Sequence, residues 1–257
     1  MTVHEHGHQI GDHLYLHRHT VVHEVAGHWK LVASFAFLVV VIATPVGSWT
    51  LFGWYALLLG VGFAVAKLPV RHVLPRFGFE VPFVLFAVLM PFVGQGPKTE
   101  LLGLTVSEVG LQTGTTLIAK ITLGTAAAIL LSATTTTGDL LRSLSTLRLP
   151  NQLVQIAAFM IRYSSVVTDE LRRMQVSWQA RGFTATGVRS WPIVASTAAA
   201  LFVRSYERGE RVHLAMLSRG YSGEIDFGHA PHSRRGAVLA VFVLPLAAAA
   251  ALVWRSL

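Results

Sequence analysis

The sequence predicts an all-α integral membrane bundle carrying a cytoplasmic domain of amphipathic helices. Three observations lead there. The 257 residues are 53% hydrophobic and 13% charged, with a mean hydropathy of +0.54, whereas charged residues make up about a quarter of an ordinary soluble chain. Several windows reach the ~17–25 mostly apolar residues that a bilayer-spanning helix needs. Thirteen of the 21 Lys and Arg fall between residues 134 and 235, where the apolar residues become periodic instead of continuous.

Residues 1–28 form a polar N-terminus with eight histidines. It lacks the apolar core of a signal peptide, so none is expected to be removed. Residues 29–133 hold four expected spans. The first, Leu31 to Val46, is approached through Trp29 and Lys30 and left at Pro45 and Gly47. The second, Trp49 to Ala66, follows so closely that the two are expected to form a helical hairpin. A basic loop with Lys67, Arg71, His72 and Arg76 precedes the third, Phe79 to Val93. Its Pro82 suits a first helical turn, and Glu80 is placed at its interfacial edge. Residues 94–109 read as a loop, and Leu111 to Ala133 as the fourth span, rich in Gly, Ala and Thr. Small residues such as Gly110, Gly114 and Gly124 allow close backbone approach in lipid. Lys120, about ten residues into that span, is a charge at a depth where charges are functional by default; a role in bundle packing or subunit contact is expected for it.

Residues 134–235 are read as cytoplasmic amphipathic helices. Leu171, Met174 and Trp178 recur at steps of three and four, and Val203 to Leu217 repeats the pattern with Arg204, Arg208 and Arg211 between. A shorter helix, Leu140 to Arg148, lies between Asp139 and Leu149-Pro150. Trp191 to Val203, about 13 residues long, is too short to span upright. It is expected to be the buried half of a helix beneath the bundle. Residues 236–257 hold a fifth span. Basic loops face the cytoplasm, so the N-terminus is placed inside and the C-terminus outside. The net charge of +8 is accounted for by these loops, and nucleic-acid binding is not expected.

Two signatures stand out in the basic insert: Gln179-Ala180-Arg181-Gly182 and Leu217-Ser218-Arg219-Gly220. Arg in a last helical turn complements the partial negative charge there, and Gly just beyond supplies a left-handed cap. Capping explains one copy. Two copies, each ending a long amphipathic helix within one insert, suggest docking, since the Arg fork pairs in a bidentate way with a partner carboxylate.

These residues, with Asp139-Leu140-Leu141, Ile161-Arg162-Tyr163, Arg172-Arg173-Met174 and Arg204 to Arg211, resemble the transmembrane T component of energy-coupling factor (ECF) transporters, CbiQ type. The resemblance covers about Val22 to Tyr221. It implies that Ala180, Arg181, Gly182, Ser218, Arg219 and Gly220 are ATPase-coupling residues, with Ser218 standing where the family pattern has Ala. It implies two cytoplasmic ABC ATPase subunits as partners, which bind the ATP, and a CbiM-like substrate-specific membrane subunit with a CbiN-like accessory. It also implies a plasma-membrane location and a non-catalytic role in cobalt (or nickel) uptake. A vitamin is the alternative cargo, since substrate choice lies in another polypeptide.

No cofactor is expected in this chain. Gly94-Gln95-Gly96-Pro97-Lys98-Thr99 lacks the spacing of a phosphate-binding loop. With no cysteine, disulfides and thiolate sites are excluded. His4-Glu5-His6-Gly7-His8 matches the H-E-x-x-H metalloprotease pattern, but Gly7 and the missing apolar support argue against the stable helix that pattern needs. His4, His6 and His8 remain candidates for a chelating tail, since His-rich tracts bind divalent metals; a plain solvated tail is the leading reading. A membrane-embedded metalloenzyme built on these histidines is the rival from another class.

Overall fold

A computed structural model describes residues 25–68, 74–93, 97–101, 104–183, 187, 191–225 and 235–256. Its architecture is all-α with one small hairpin of strands. The helices are α1 (Gly27–Ala43), α2 (Trp49–Val65), a 3₁₀ helix (Leu74–Glu80), α3 (Val81–Val93), α4 (Glu108–Thr134), α5 (Thr137–Thr146), α6 (Asn151–Ala180), α7 (Trp191–Leu217) and α8 (Arg235–Ser256). Two compact units divide between Ser143 and Leu144, within α5. One holds α1 to α4 and α8, the other α6 and α7.

In the first unit, α1 and α2 both pack against α4 and α8, and α3 packs along α4. The core is Phe37, Val41, Leu51, Phe52, Tyr55, Leu59, Leu123, Ala127 and Ala248. Pro45 pushes Thr44 into extended backbone and ends α1. Thr44 turns its hydroxyl to the buried Tyr55, Oγ1 to Oη 3.2 Å. The third and fourth helices meet where glycine is required. A Cβ on Gly110 or Gly114 would lie 2.5 Å from the carbonyl oxygen of Met90 or Ala87, so the α3 and α4 backbones touch there. Ser107 caps α4, its Oγ accepting from the Gly110 amide at 3.3 Å.

Two lysines tie α1 to α4 reciprocally. Lys30, buried at the start of α1, donates to the Thr134 carbonyl at the end of α4, 2.7 Å away. Lys120 of α4 donates to the Ile42 carbonyl at the end of α1 at 2.8 Å. Each satisfies a carbonyl that its own helix leaves without an amide. The packing role expected for Lys120 is this contact.

α4 and the stretch Pro75–Phe92 are long and apolar enough to cross a membrane, whereas α1, α2 and Val241–Trp254 are apolar but shorter. Three expectations need correction. Residues 98–107 are not plain loop: β1 (Lys98–Leu101) and β2 (Leu104–Ser107) pair antiparallel with Lys98 opposite Ser107, as the β-branched Thr99, Thr105 and Val106 favour. Glu80, expected at the interfacial edge of the third span, is turned into the protein and not out to solvent. It closes the 3₁₀ helix, is buried, and accepts from Thr122 Oγ1 on α4 at 3.1 Å; its Oε1 has no partner among the described residues. Residues 191–203 are not a buried half-helix. They open the continuous α7, and Trp191 and Phe202 are each 70% exposed, because α6 covers one face only, where Thr197 is buried.

Candidate functional site

The second unit is an antiparallel helix pair. Tyr221, just past α7, donates from its hydroxyl to Gln155 Oε1 near the start of α6 at 2.5 Å. Near the middle, Arg204 of α7 bonds Glu170 of α6. At the far end, Trp178 and Arg181 share a cleft with Ser196 and Thr197. Residue numbers fall on one helix as they rise on the other, which defines the antiparallel course.

Both Arg-Gly signatures fold into the same helix end. After α6, the Gly182 amide bonds the Gln179 carbonyl (3.0 Å) and the Phe183 amide bonds that of Trp178 (3.1 Å). After α7, the Gly220 amide bonds Leu217 and the Tyr221 amide bonds Met216, both at 3.0 Å. This is the Schellman arrangement, and it requires left-handed backbone at its glycine. Gly182 and Gly220 have φ of 77° and 84°. In each case the arginine occupies the residue between helix and glycine, so the backbone aims Arg181 and Arg219 alike at the two ends. Ser218, which departs from Ala, donates to the Ala215 carbonyl of its own helix at 2.9 Å and leaves the cap unchanged.

The structure does not bring the two arginines together. Arg219 lies level with Gln155 and Arg181 lies 26 residues further along α6, so at ~1.5 Å per residue the ends are about 40 Å apart. Both are exposed. Four other arginines of the pair have acidic neighbours, while Arg162 and Arg208 have none among the described residues. Arg173 and Arg204 share Glu170, Arg172 lies near Asp169, and Arg211 lies near Glu207. The Glu170 carboxyl is held below its ordinary pKa by the hydrogen bond from Arg173 and then by that from Arg204. Arg181 and Arg219 have no carboxylate partner among the described residues.

Gln155 is the residue that sequence reasoning missed. It is buried, accepts from Tyr221 and donates from Nε2 to the Gly223 carbonyl at 2.9 Å, strapping the chain after Gly220 back onto α6. A glutamine on an otherwise apolar helix face was its one signal.

The described residues contain no group of three or more His, Cys, Asp or Glu able to hold a metal ion. His4, His6 and His8 lie outside the described residues. Lys98 and Thr99 open strand β1, not the helix that a phosphate-binding loop must precede.

A family model described as CbiQ, cobalt transport protein, matches residues 18–228, which include both Arg-Gly ends. An uncharacterized protein of Methanocaldococcus jannaschii is 28% identical over 120 residues, 47% of this chain and 45% of that protein. A second from the same organism is 25% identical over 206 residues, 76% of this chain and 70% of that protein. The cobalt transport protein CbiQ of Rhodobacter capsulatus is 32% identical over 95 residues, covering 37% of this chain and 39% of that one. The chain thus spans under half the length of the first and third relatives it matches.

Proposed function

The chain belongs to the CbiQ cobalt transport protein family, and from that membership we propose that it is the membrane-embedded coupling subunit of an ECF-type cobalt transporter. In this reading it binds no nucleotide. Two cytoplasmic ABC ATPase subunits dock at its two Arg-Gly ends, and a CbiM-like membrane subunit with a CbiN-like accessory selects the cation. Residues 134–235 transmit the movement, while residues 29–133 and 236–257 provide five spans in the plasma membrane, with the N-terminus inside and the C-terminus outside.

One observation carries the proposal. Two arginines, each presented by the same capped helix end, stand about 40 Å apart by helix rise and lack carboxylates of their own among the described residues. An intramolecular role would bring such arginines to acidic partners within the chain, as it does Arg173 and Arg204. Two separated, identically built presentations suit two similar partners. Each Arg fork is suited to bidentate pairing with a carboxylate on such a partner.

The test is co-purification of the tagged chain with its ATPase subunits from native membranes, alongside cobalt uptake by whole cells. Replacing Arg181 and Arg219 together with alanine is expected to release the ATPases and stop uptake. Retention of both properties by the double variant would refute the coupling role.

A further inference from the structure

The two helix ends share a backbone but not their surroundings. Beside Arg181 the cleft is about 460 Å³ and polar, bounded by Arg173, Ser177, Ser196 and Arg204, with Glu170 already engaged by two guanidinium groups. Beside the cap that carries Arg219, at Met216 and Tyr221, lies a cavity of about 300 Å³ of opposite character. Phe159, Tyr163 and Val167 of α6 form one wall, and Gly209 and Met216 of α7 with Tyr221 form the other. The Phe159 and Tyr163 rings are stacked with centroids 6.2 Å apart. Gly209 faces open space in this lining, since a Cβ built there meets nothing within 4 Å.

The cavity is continuous with the Arg219 cap. Met216 and Tyr221 line it, and the hydrogen bond between their backbones holds the cap closed. Arg208 stands at its rim and, like Arg219, has no carboxylate partner among the described residues. A largely apolar socket with Arg208 in its lining and the Arg219 cap adjoining it through Met216 and Tyr221 matches the composition of interface hot spots, where a buried anchor sits beside charge-assisted contacts.

On the coupling reading above, we infer that this cavity is an anchor socket of the Arg219 docking point. It receives an apolar side chain of the ATPase subunit, adjacent to the carboxylate that pairs with Arg219. At the Arg181 end the cleft among the described residues is polar, and docking there runs through charge and hydrogen bonds. The occupant is a protein side chain because the socket shares Met216 and Tyr221 with the cap that presents Arg219, and Arg208 in its lining calls for an acidic neighbour beside the anchor.

The test uses full-length chain in lipid nanodiscs, assembled with its purified ATPase subunits. Gly209→Leu fills the socket from within, and leucine is a better helix former than glycine, so the pair is expected to stay folded by circular dichroism. ATPase association is expected to weaken at least tenfold, while Gly209→Ala, which adds one methyl group in open space, stays close to the parent. Because the chain has no cysteine, Gly209→Cys gives a unique maleimide target, with Glu207→Cys on the opposite helix face as its control. Labelling at position 209 is expected to be fast without ATPases and blocked with them.

Normal binding by Gly209→Leu, when Arg219→Glu abolishes it, would overturn the socket and leave the coupling reading intact. Normal binding by both variants would overturn that reading too. Slow labelling of Gly209→Cys in nanodiscs before any ATPase is added would assign the socket to a lipid chain and overturn the inference.

Discussion

The bundle and the helix pair treat their cations in opposite ways. Lys30 and Lys120 of the bundle each donate to the terminal carbonyl of a neighbouring helix. Arg181 and Arg219 of the pair are held out on rigid helix ends and bond to no carboxylate among the described residues. A charge inside an apolar structure is tolerated when it satisfies a polar group that would otherwise lack a partner. A charge in water has no such need, and on the coupling reading these two exposed arginines pair with a partner outside the chain. The first set of cations therefore serves the packing of the bundle, and the coupling reading assigns recognition to the second.

The sharpest test of this contrast is a crossed experiment. Arg181→Glu and Arg219→Glu, singly, are each expected to weaken ATPase association by about 30-fold or more, the effect of losing ~2 kcal/mol at an arginine hot spot. Neither should move the unfolding midpoint of the purified chain appreciably. Lys30→Met should do the reverse. It keeps the packing volume but strands the Thr134 carbonyl, a cost of ~2 kcal/mol or more for a buried charge-assisted bond, readable as a lowered thermal midpoint in detergent. If Lys30→Met leaves the midpoint unchanged, the division of labour collapses.

Lys120→Met is the milder companion. Its bond to Ile42 is exposed, so ~1 kcal/mol is expected from the same measurement. Gly182→Ala and Gly220→Ala should each cost about 1 kcal/mol for forcing a Cβ into left-handed backbone. Because the two caps are the same, the two losses should agree; a large difference would show that the ends are not equivalent in backbone terms.

The smallest effect is that of acid on Glu170. Its folded pKa is depressed, so its contribution is present above the unfolded value and lost as pH falls through the folded one. The α6–α7 pair should loosen modestly below about pH 4, the ordinary carboxylate range. Amide exchange in Glu170→Gln should lack that step.

The apolar runs located the helices because continuous hydrophobicity leaves little else for the chain to form. The Arg-Gly ends were equally legible, since the left-handed conformation follows from glycine at a helix terminus. Contacts made through side chains distant in sequence were not. Nothing near Glu80 announces Thr122, 42 residues away, and nothing near Gln155 announces Tyr221. The hairpin at 98–107 was hidden because Gly94, Gly96 and Pro97 just before it and Gly103 within it carry the same turn signals as irregular loop. For Trp191 to Val203 the apolar count was right but the inference of burial was not, since α6 offers that stretch a single face.

The antiparallel course of α6 and α7 has a mechanical consequence. A rod turned about its middle carries its two tips in opposite directions. Tips pushed toward each other along the rod generate no torque at all and only bend it, whereas opposed sideways pushes rotate it. With the Glu170–Arg204 contact close to mid-length, force applied at the tips becomes tilt only through its transverse, oppositely directed part. The useful stroke of any machine gripping both tips is thus a shear across the pair and not a squeeze along it.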